Sequence, residues 1–217
     1  MSDLAARLAA GAHVLGVELD AGQLAQFGKL VEQLLKWNKA YSLTAITQPE
    51  EILTHHLLDS LAAQPDLLGK TIADVGTGAG FPGLPLAIAN PDRHFTLIDA
   101  VDKKLRFIDH AARELGLANL RTRHARVEQI TGAAFDSVIA RAFAPLPRLT
   151  AWVQPLAGPG TRIIAMKGKW PPPAVVDVDS DGGPLPAGWH IEAVRPVVVP
   201  GLAEARHHIL LRHVPAP

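Results

Sequence analysis

The chain of 217 residues contains no cysteine. Disulfides and thiolate metal sites are therefore excluded, and nothing in the chain points to an oxidising compartment. No apolar run reaches the roughly 18 residues that a membrane span needs. The first residues include Asp3 and Arg7 but no sustained apolar stretch, so no signal peptide is expected and the cytoplasm is the default. There is no internal repeat. No nucleophile stands beside a base at a spacing that signals covalent catalysis. The adjacent pairs His55-His56 and His207-His208 lack accompanying ligands at metal-binding spacing, so no metal site is expected.

What the chain has is a hydrophobic content of 48% and a length suited to one domain, or one domain with an appendage. Its 21 Lys+Arg balance 21 Asp+Glu, but not evenly. Residues 1–100 carry a balance of −5, residues 101–170 one of +7, and residues 171–217 one of −2. A basic middle region suggests an anionic partner, although solvated helix surface also gives such a pattern.

The stretch Thr71-Ile72-Ala73-Asp74-Val75-Gly76-Thr77-Gly78-Ala79-Gly80-Phe81-Pro82-Gly83 organises the rest. A short apolar strand ends in a turn with four glycines in eight residues, and a helix follows. Glycine permits φ > 0 and close approach of a ligand at Gly76 and Gly78. Pro82 suits a first helical turn. The free N–H groups of that helix start are expected to face a ligand. Gly78, Gly80 and Gly83 spell the dinucleotide fingerprint, which keeps an NAD(P)-dependent oxidoreductase in play. Asp74 argues the other way. A carboxylate repels a pyrophosphate and attracts the ammonium and sulfonium of S-adenosylmethionine (SAM).

Upstream, helices are expected over 3–15, from Asp20-Gln23 to about Lys39, and from Pro49 to Pro65. They read as a helical cap, residues 1–66, on a main domain of residues 67–217. From Thr71 strands alternate with helices: Thr71–Val75, Phe95–Ile98, Leu120–Arg123, Phe135–Ala140 and Arg162–Met166, the pattern of a parallel doubly wound sheet. Residues 168–188 are rich in Pro and Gly, and an irregular path is expected there. His190–Val199 and His207–Arg212 then form an antiparallel hairpin.

Asp99 ends the second strand, where an acid binds ribose hydroxyls; the competing reading is an N-cap for the next helix. Arg126, Val127 and Glu128 follow the third strand, near an adenine or simply at a helix start. Arg141 ends the fourth strand, where an unpaired guanidinium is costly to bury, so it is expected to hold cofactor or substrate. Lys167 leaves the fifth strand at the same edge, as a phosphate contact or an exposed lysine.

Several stretches together resemble the RsmG family, also called GidB. They are Trp37-Asn38-Lys39 with Leu43-Thr44, His56-Leu57-Leu58-Asp59-Ser60-Leu61, the glycine loop, Asp99 through Lys103-Lys104, Ala125-Arg126-Val127-Glu128, Arg141-Ala142-Phe143-Ala144 and Met166-Lys167-Gly168. The resemblance implies a class I SAM-dependent methyltransferase, Rossmann-like, with a mostly parallel seven-stranded sheet. It implies N7-methylation of one guanosine in 16S rRNA, with rRNA or the 30S subunit as partner, no membrane, and a monomer. Carried over by position, Gly76, Phe81, Asp99, Ala100, Val101, Val127, Glu128 and Arg141 are implied SAM contacts; Gly78 joins them from the loop itself. Arg141 and Lys167 are positioning candidates, and no catalytic base is identified. Three departures stand out: Ser42 replaces the usual Asn, His55 the usual Arg, and prolines follow Lys169 where a helix is usual. A non-catalytic RNA-binding protein on the same fold also fits the sequence.

Overall fold

The computed structural model describes residues 2–132, 134–170 and 184–214. Helix α1 (Ser2–Val14) and helix α2 (Ala21–Tyr41) open the chain. Asp20 and Gln23 form the expected reciprocal box at the start of α2: the Gln23 amide donates to Asp20 Oδ1 at 2.8 Å, and the Asp20 amide donates to Gln23 Oε1 at 2.9 Å. The helix ends at Ser42, whose φ of 49° is left-handed.

The third helical stretch is less regular than its sequence suggests. A single turn, α3 (Pro49–Glu51), leads into a π-helical run Ile52–Leu58, and α4 (Asp59–Leu61) closes it. The Thr54 hydroxyl donates to the Glu50 carbonyl at 3.1 Å, a local competitor of the α-helical ladder. A short 3₁₀ turn at Gln64–Asp66 carries Pro65, past the point where the helix has ended.

Strands β1 (Thr71–Val75), β2 (His94–Asp99), β3 (Leu120–His124), β4 (Phe135–Arg141) and β5 (Ala157–Lys167) run parallel. Helix α5 (Gly83–Ala89) follows β1, α6 (Asp102–Leu115) follows β2, and α7 (Leu146–Val153) follows β4. Gly116 stops α6 at a φ of 69°, as expected. Strands β6 (Trp189–Val197) and β7 (Arg206–His213) form the expected antiparallel hairpin. Strand β7 inserts beside β5, giving the order β3-β2-β1-β4-β5-β7-β6. Pro196 is tolerated because β6 is an edge strand. Most of the irregular path expected over 168–188 falls on residues 171–183, outside the described residues.

Alternation along the central strands divides the core. Ile72, Phe95, Leu97, Ile139 and Ile164 face one layer; Ala73, Val75, Ile98, Val138, Ala140 and Ile163 face the other. The first layer is shared with the opening helices: Leu30 and Leu34 of α2, Leu57 and Leu61 pack in one cluster with Leu84 and Phe107. The second is covered by α7 and the 3₁₀ turn Val127–Gln129. No helix among the described residues is long and apolar enough to cross a membrane.

Candidate active site

The C-terminal ends of β1, β2, β4 and β5 meet at one edge of the sheet, and the glycine loop crosses it. Gly76 and Gly78 have φ of 67° and 62°. A Cβ on Gly76 would lie 2.1 Å from the Phe143 ring, so this position requires glycine on steric grounds as well. A Cβ on Gly78 would meet nothing within 4 Å, so its glycine is required by the positive φ alone, and Gly78 does not line the cavity described below.

Asp74 is buried beneath the loop. Its Oδ2 accepts from the Thr77 hydroxyl at 2.6 Å and from the Gly83 amide at 2.8 Å. Two expectations are corrected by these bonds. The helix-start amides do not face a ligand: Gly83 donates to Asp74, and the Leu84 amide donates to the Gly80 carbonyl at 2.7 Å. Pro82 caps α5 rather than sitting within its first turn, and the Phe81–Pro82 peptide is cis. Asp74 itself is only 1% exposed and acts as a brace for the loop. Burial pushes its carboxyl up to about 6, against the Thr77 and Gly83 hydrogen bonds that favour the ionised form. Its Oδ1 has no partner among the described residues.

The N-cap reading of Asp99 is corrected: Val101 holds that position at the start of α6, with no side-chain cap bond. Asp99 Oδ1 accepts from the Val101 amide at 2.9 Å, at the start of α6, and its Oδ2 accepts from the Gly78 amide at 2.9 Å. The carboxylate thus ties the glycine loop to α6, and it also lines a cavity of about 410 Å³. Gly76, Ala100, Val127 and Glu128 line the same cavity, with Arg126. Val101 is 39% exposed and reaches Asp99 only through its backbone. Phe143 and Trp152, packed edge to face at 5.7 Å, and Lys104, 4.0 Å from Asp99, complete the walls. Sequence reasoning missed Phe143 and Trp152. The apolar stretch after Arg141 was the available signal, since a chain leaving β4 at this edge must pass the cavity.

Phe81 and Arg141 do not line this cavity. Phe81 stacks on the His56 ring at 4.5 Å, and the Arg141 guanidinium lies over Phe81 at 6.0 Å. Arg141 Nη1 donates to the His55 carbonyl at 2.9 Å and to Asp59 Oδ2 at 3.0 Å. Together with Lys167, Arg206, His55 and His56 it lines a second cavity of about 350 Å³. Lys167 Nζ donates to the Ala144 carbonyl at 3.1 Å. His56 Nε2 faces the Thr44 hydroxyl at 2.9 Å, and Asn38 clamps Thr44 by two 2.9 Å bonds. Burial holds the His56 imidazole down to about 4, with the charge of Arg141 adding to the effect. Among the described residues no group of His, Asp and Glu side chains has the arrangement of a metal site.

The model of the GidB family, described as rRNA small subunit methyltransferase G, matches residues 23–181. The chain belongs to this family. A ribosomal RNA small subunit methyltransferase G from Erwinia tasmaniensis is 41% identical over 209 residues, covering 95% of this chain and 98% of the relative. Its counterpart from an Azoarcus species is 42% identical, with 97% of each chain covered. Among solved structures, the cyclase SpnF superposes with a TM-score of 0.56 at 18% identity, covering 92% of this chain and 98% of that one. A SAM-dependent methyltransferase from Aquifex aeolicus gives 0.54 at 19%, with 77% and 94% covered. These neighbours establish the class I Rossmann-like methyltransferase fold. In this GidB-family chain several of the stretches that carried the resemblance lie at the two cavities. Asn38-to-Thr44 and His56-to-Asp59 build the wall between the helical segment and the second cavity, and the glycine loop with Asp99 builds the first.

Proposed function

We propose that the chain is a SAM-dependent methyltransferase that methylates N7 of a guanosine in 16S rRNA. The observation that carries the residue-level reading is the pairing of two unlike cavities at one sheet edge. One is lined by Asp99, Glu128, Phe143 and Trp152, the other by Arg141, Arg206 and Lys167. The first suits SAM: carboxylates for ribose hydroxyls and for a cationic ligand, and aromatic and apolar walls for adenine. The unpaired Asp74 Oδ1 adds negative character under the loop. A dinucleotide pyrophosphate lacks the helix-start site it uses elsewhere, because the Gly83 amide of α5 is taken by Asp74.

SAM supplies a methyl group carried on a sulfonium. The protein's own part is positioning. Guanine N7 has a free lone pair, so no general base is required, and transfer depends on alignment in a desolvated site. His56 is buried and neutral at pH 7, stacked on Phe81, and supports the wall rather than moving a proton. The second cavity receives the base, and exposed lysines and arginines from the basic middle region meet phosphates. The enzyme acts as a monomer in the cytoplasm, where its ribosomal substrate resides.

The deciding experiment is methyl transfer from radiolabelled SAM to 30S subunits and to protein-free 16S rRNA, both from a strain lacking the gene. Nucleoside digestion and mass spectrometry should yield a single 7-methylguanosine, and the better acceptor identifies the form of rRNA recognised. No incorporation into either, with SAM binding intact, overturns the reaction. Tighter binding of NAD than of SAM overturns the cofactor.

A further inference from the structure

We infer that the second cavity recognises O6 of the acceptor guanine through the guanidinium groups of Arg141 and Arg206, with Asp59 as the positioning residue that holds both. This rests on the methyltransferase reading above and names what that reading leaves open, the basis of base choice.

Two strands that flank β5 supply the arginines. Arg141 ends β4 and pairs with Met166; Arg206 begins the antiparallel β7, one residue before His207, which pairs with Lys167. The two guanidinium groups therefore arrive at the same sheet edge from either side of β5. Asp59 joins them: Oδ2 accepts from Arg141 Nη1 and Oδ1 from Arg206 Nε, each at 3.0 Å. The Asp59 side chain is only 4% exposed, whereas those of Arg141 and Arg206 are 24% and 21% exposed. Asp59 lines the cavity beside both arginines, but it is nearly inaccessible and both its oxygens are taken by them, so the more exposed cations are what an entering group meets.

The remaining hydrogen-bonding capacity is one-sided. Arg141 uses Nη1 for the His55 carbonyl and Asp59, which leaves the protons of Nε and Nη2. Arg206 uses Nε for Asp59 and Nη1 for the Ala205 carbonyl, which leaves Nη2. Apolar Ile46, Ala142 and Met166 complete that part of the wall. A base entering here meets donors. Guanine presents two acceptors on its Hoogsteen edge, N7 and O6, while adenine presents N7 beside an amino donor. N7 must stay bare to accept the methyl group, so the donors fall to O6. An adenine amino group at that place would face guanidinium protons, donor against donor. The cavity thereby selects guanine for the same group geometry that presents its N7.

The test uses 16S rRNA joined by splinted ligation so that the acceptor position carries guanosine, inosine or 2-aminopurine riboside. Inosine keeps O6 and lacks the 2-amino group; 2-aminopurine keeps N7 and the 2-amino group and lacks O6. Wild-type protein is expected to methylate inosine nearly as well as guanosine, and 2-aminopurine about tenfold to a hundredfold less by kcat/KM. In Arg206→Gln the guanosine rate falls and the guanosine to 2-aminopurine ratio shrinks toward one. Arg206→Lys keeps part of that ratio. Asp59→Asn collapses it while SAM affinity is retained, which a merely structural role would not produce. Equal methylation of guanosine and 2-aminopurine by the wild type overturns the inference, as does a ratio unchanged in Arg206→Gln. Should Arg206→Gln lose its unfolding transition, the wild-type ratio and Arg206→Lys decide. Failure of guanosine itself to accept a methyl group would instead overturn the underlying function.

Discussion

Gly76 stands where the loop leaves β1, and replacing it with alanine tests how tightly the site is built. Two penalties add. The φ of 67° is left-handed, a conformation that costs a residue with a Cβ roughly 1–2 kcal/mol. The new methyl group would also lie 2.1 Å from Phe143 Cδ2 and 2.5 Å from its Cε2, and overpacking of that kind costs roughly 1–3 kcal/mol. Gly76→Ala is therefore expected to lose about 2–5 kcal/mol of unfolding free energy. SAM binding should weaken with it, because Gly76 and Phe143 line the same cavity. The Phe143→Ala background separates the two terms. There the ring is gone, the clash disappears, and only the backbone cost of roughly 1–2 kcal/mol persists. Urea unfolding of the wild type, both single variants and the double variant gives the coupling directly. An equal cost of Gly76→Ala in both backgrounds would refute the contact.

Four further outcomes follow from named groups. Burial lowers the folded-state pKa of His56 and raises that of Asp74, so their pH effects oppose each other. The His56 contribution is present above pH 6.5 and is lost as pH falls toward 4. The Asp74 contribution is present below pH 3.8 and is lost as pH rises through 6. Difference curves for His56→Gln and Asp74→Asn against wild type, from urea unfolding between pH 4 and 7, should slope in opposite directions; two curves parallel to wild type would contradict the burial of both groups. Asp99→Ala removes the acceptor of the Gly78 and Val101 amides along with the proposed ribose contact, and calorimetry should show SAM affinity reduced about tenfold or more. Asp20→Ala breaks the capping box of α2 and should cost about 1 kcal/mol in urea unfolding with kcat unchanged. Ser42→Gly relieves a left-handed residue and should raise stability by roughly 0.5–1 kcal/mol, read as a higher Tm.

The centre of the sheet was legible because β1, β2 and β4 are buried on both faces and read as largely apolar runs between turn residues. The ends of β1 through β5 fall close to the expected positions, since Asp99, Arg141 and Lys167 mark where the chain leaves the core for the site edge. The π-helical run at Ile52–Leu58 was not legible, because its apolar residues also satisfy an α-helical period. Nor was the role of Asp74. A carboxylate before a glycine loop reads equally as a ligand contact or as a brace, and only its bonds to Thr77 and Gly83 distinguish them. Ser42 is a further case: only its φ of 49° shows that a left-handed residue, better suited by Gly or Asn, closes α2.

Charge was legible in amount but not in meaning. The middle region of +7 suggested an anion-binding surface. In the structure much of that charge is answered internally. Lys104 lies near Asp99, Arg106 pairs with Asp102, Arg141 with Asp59 and Arg162 with Glu192. Lys103, Arg113 and Arg123 remain exposed, as phosphate contacts require. The second guanidinium of the acceptor cavity comes from the closing segment, where the balance is −2, and no count over windows finds it. Arg206 reaches the site because β7 runs antiparallel beside β5, which brings its first residue to the edge where the parallel strands end. Were β7 parallel, the same residue would lie at the opposite edge, and Asp59 would hold Arg141 alone. The reversal of one strand is thus what turns a lone strand-end arginine into a pair able to grip a single oxygen.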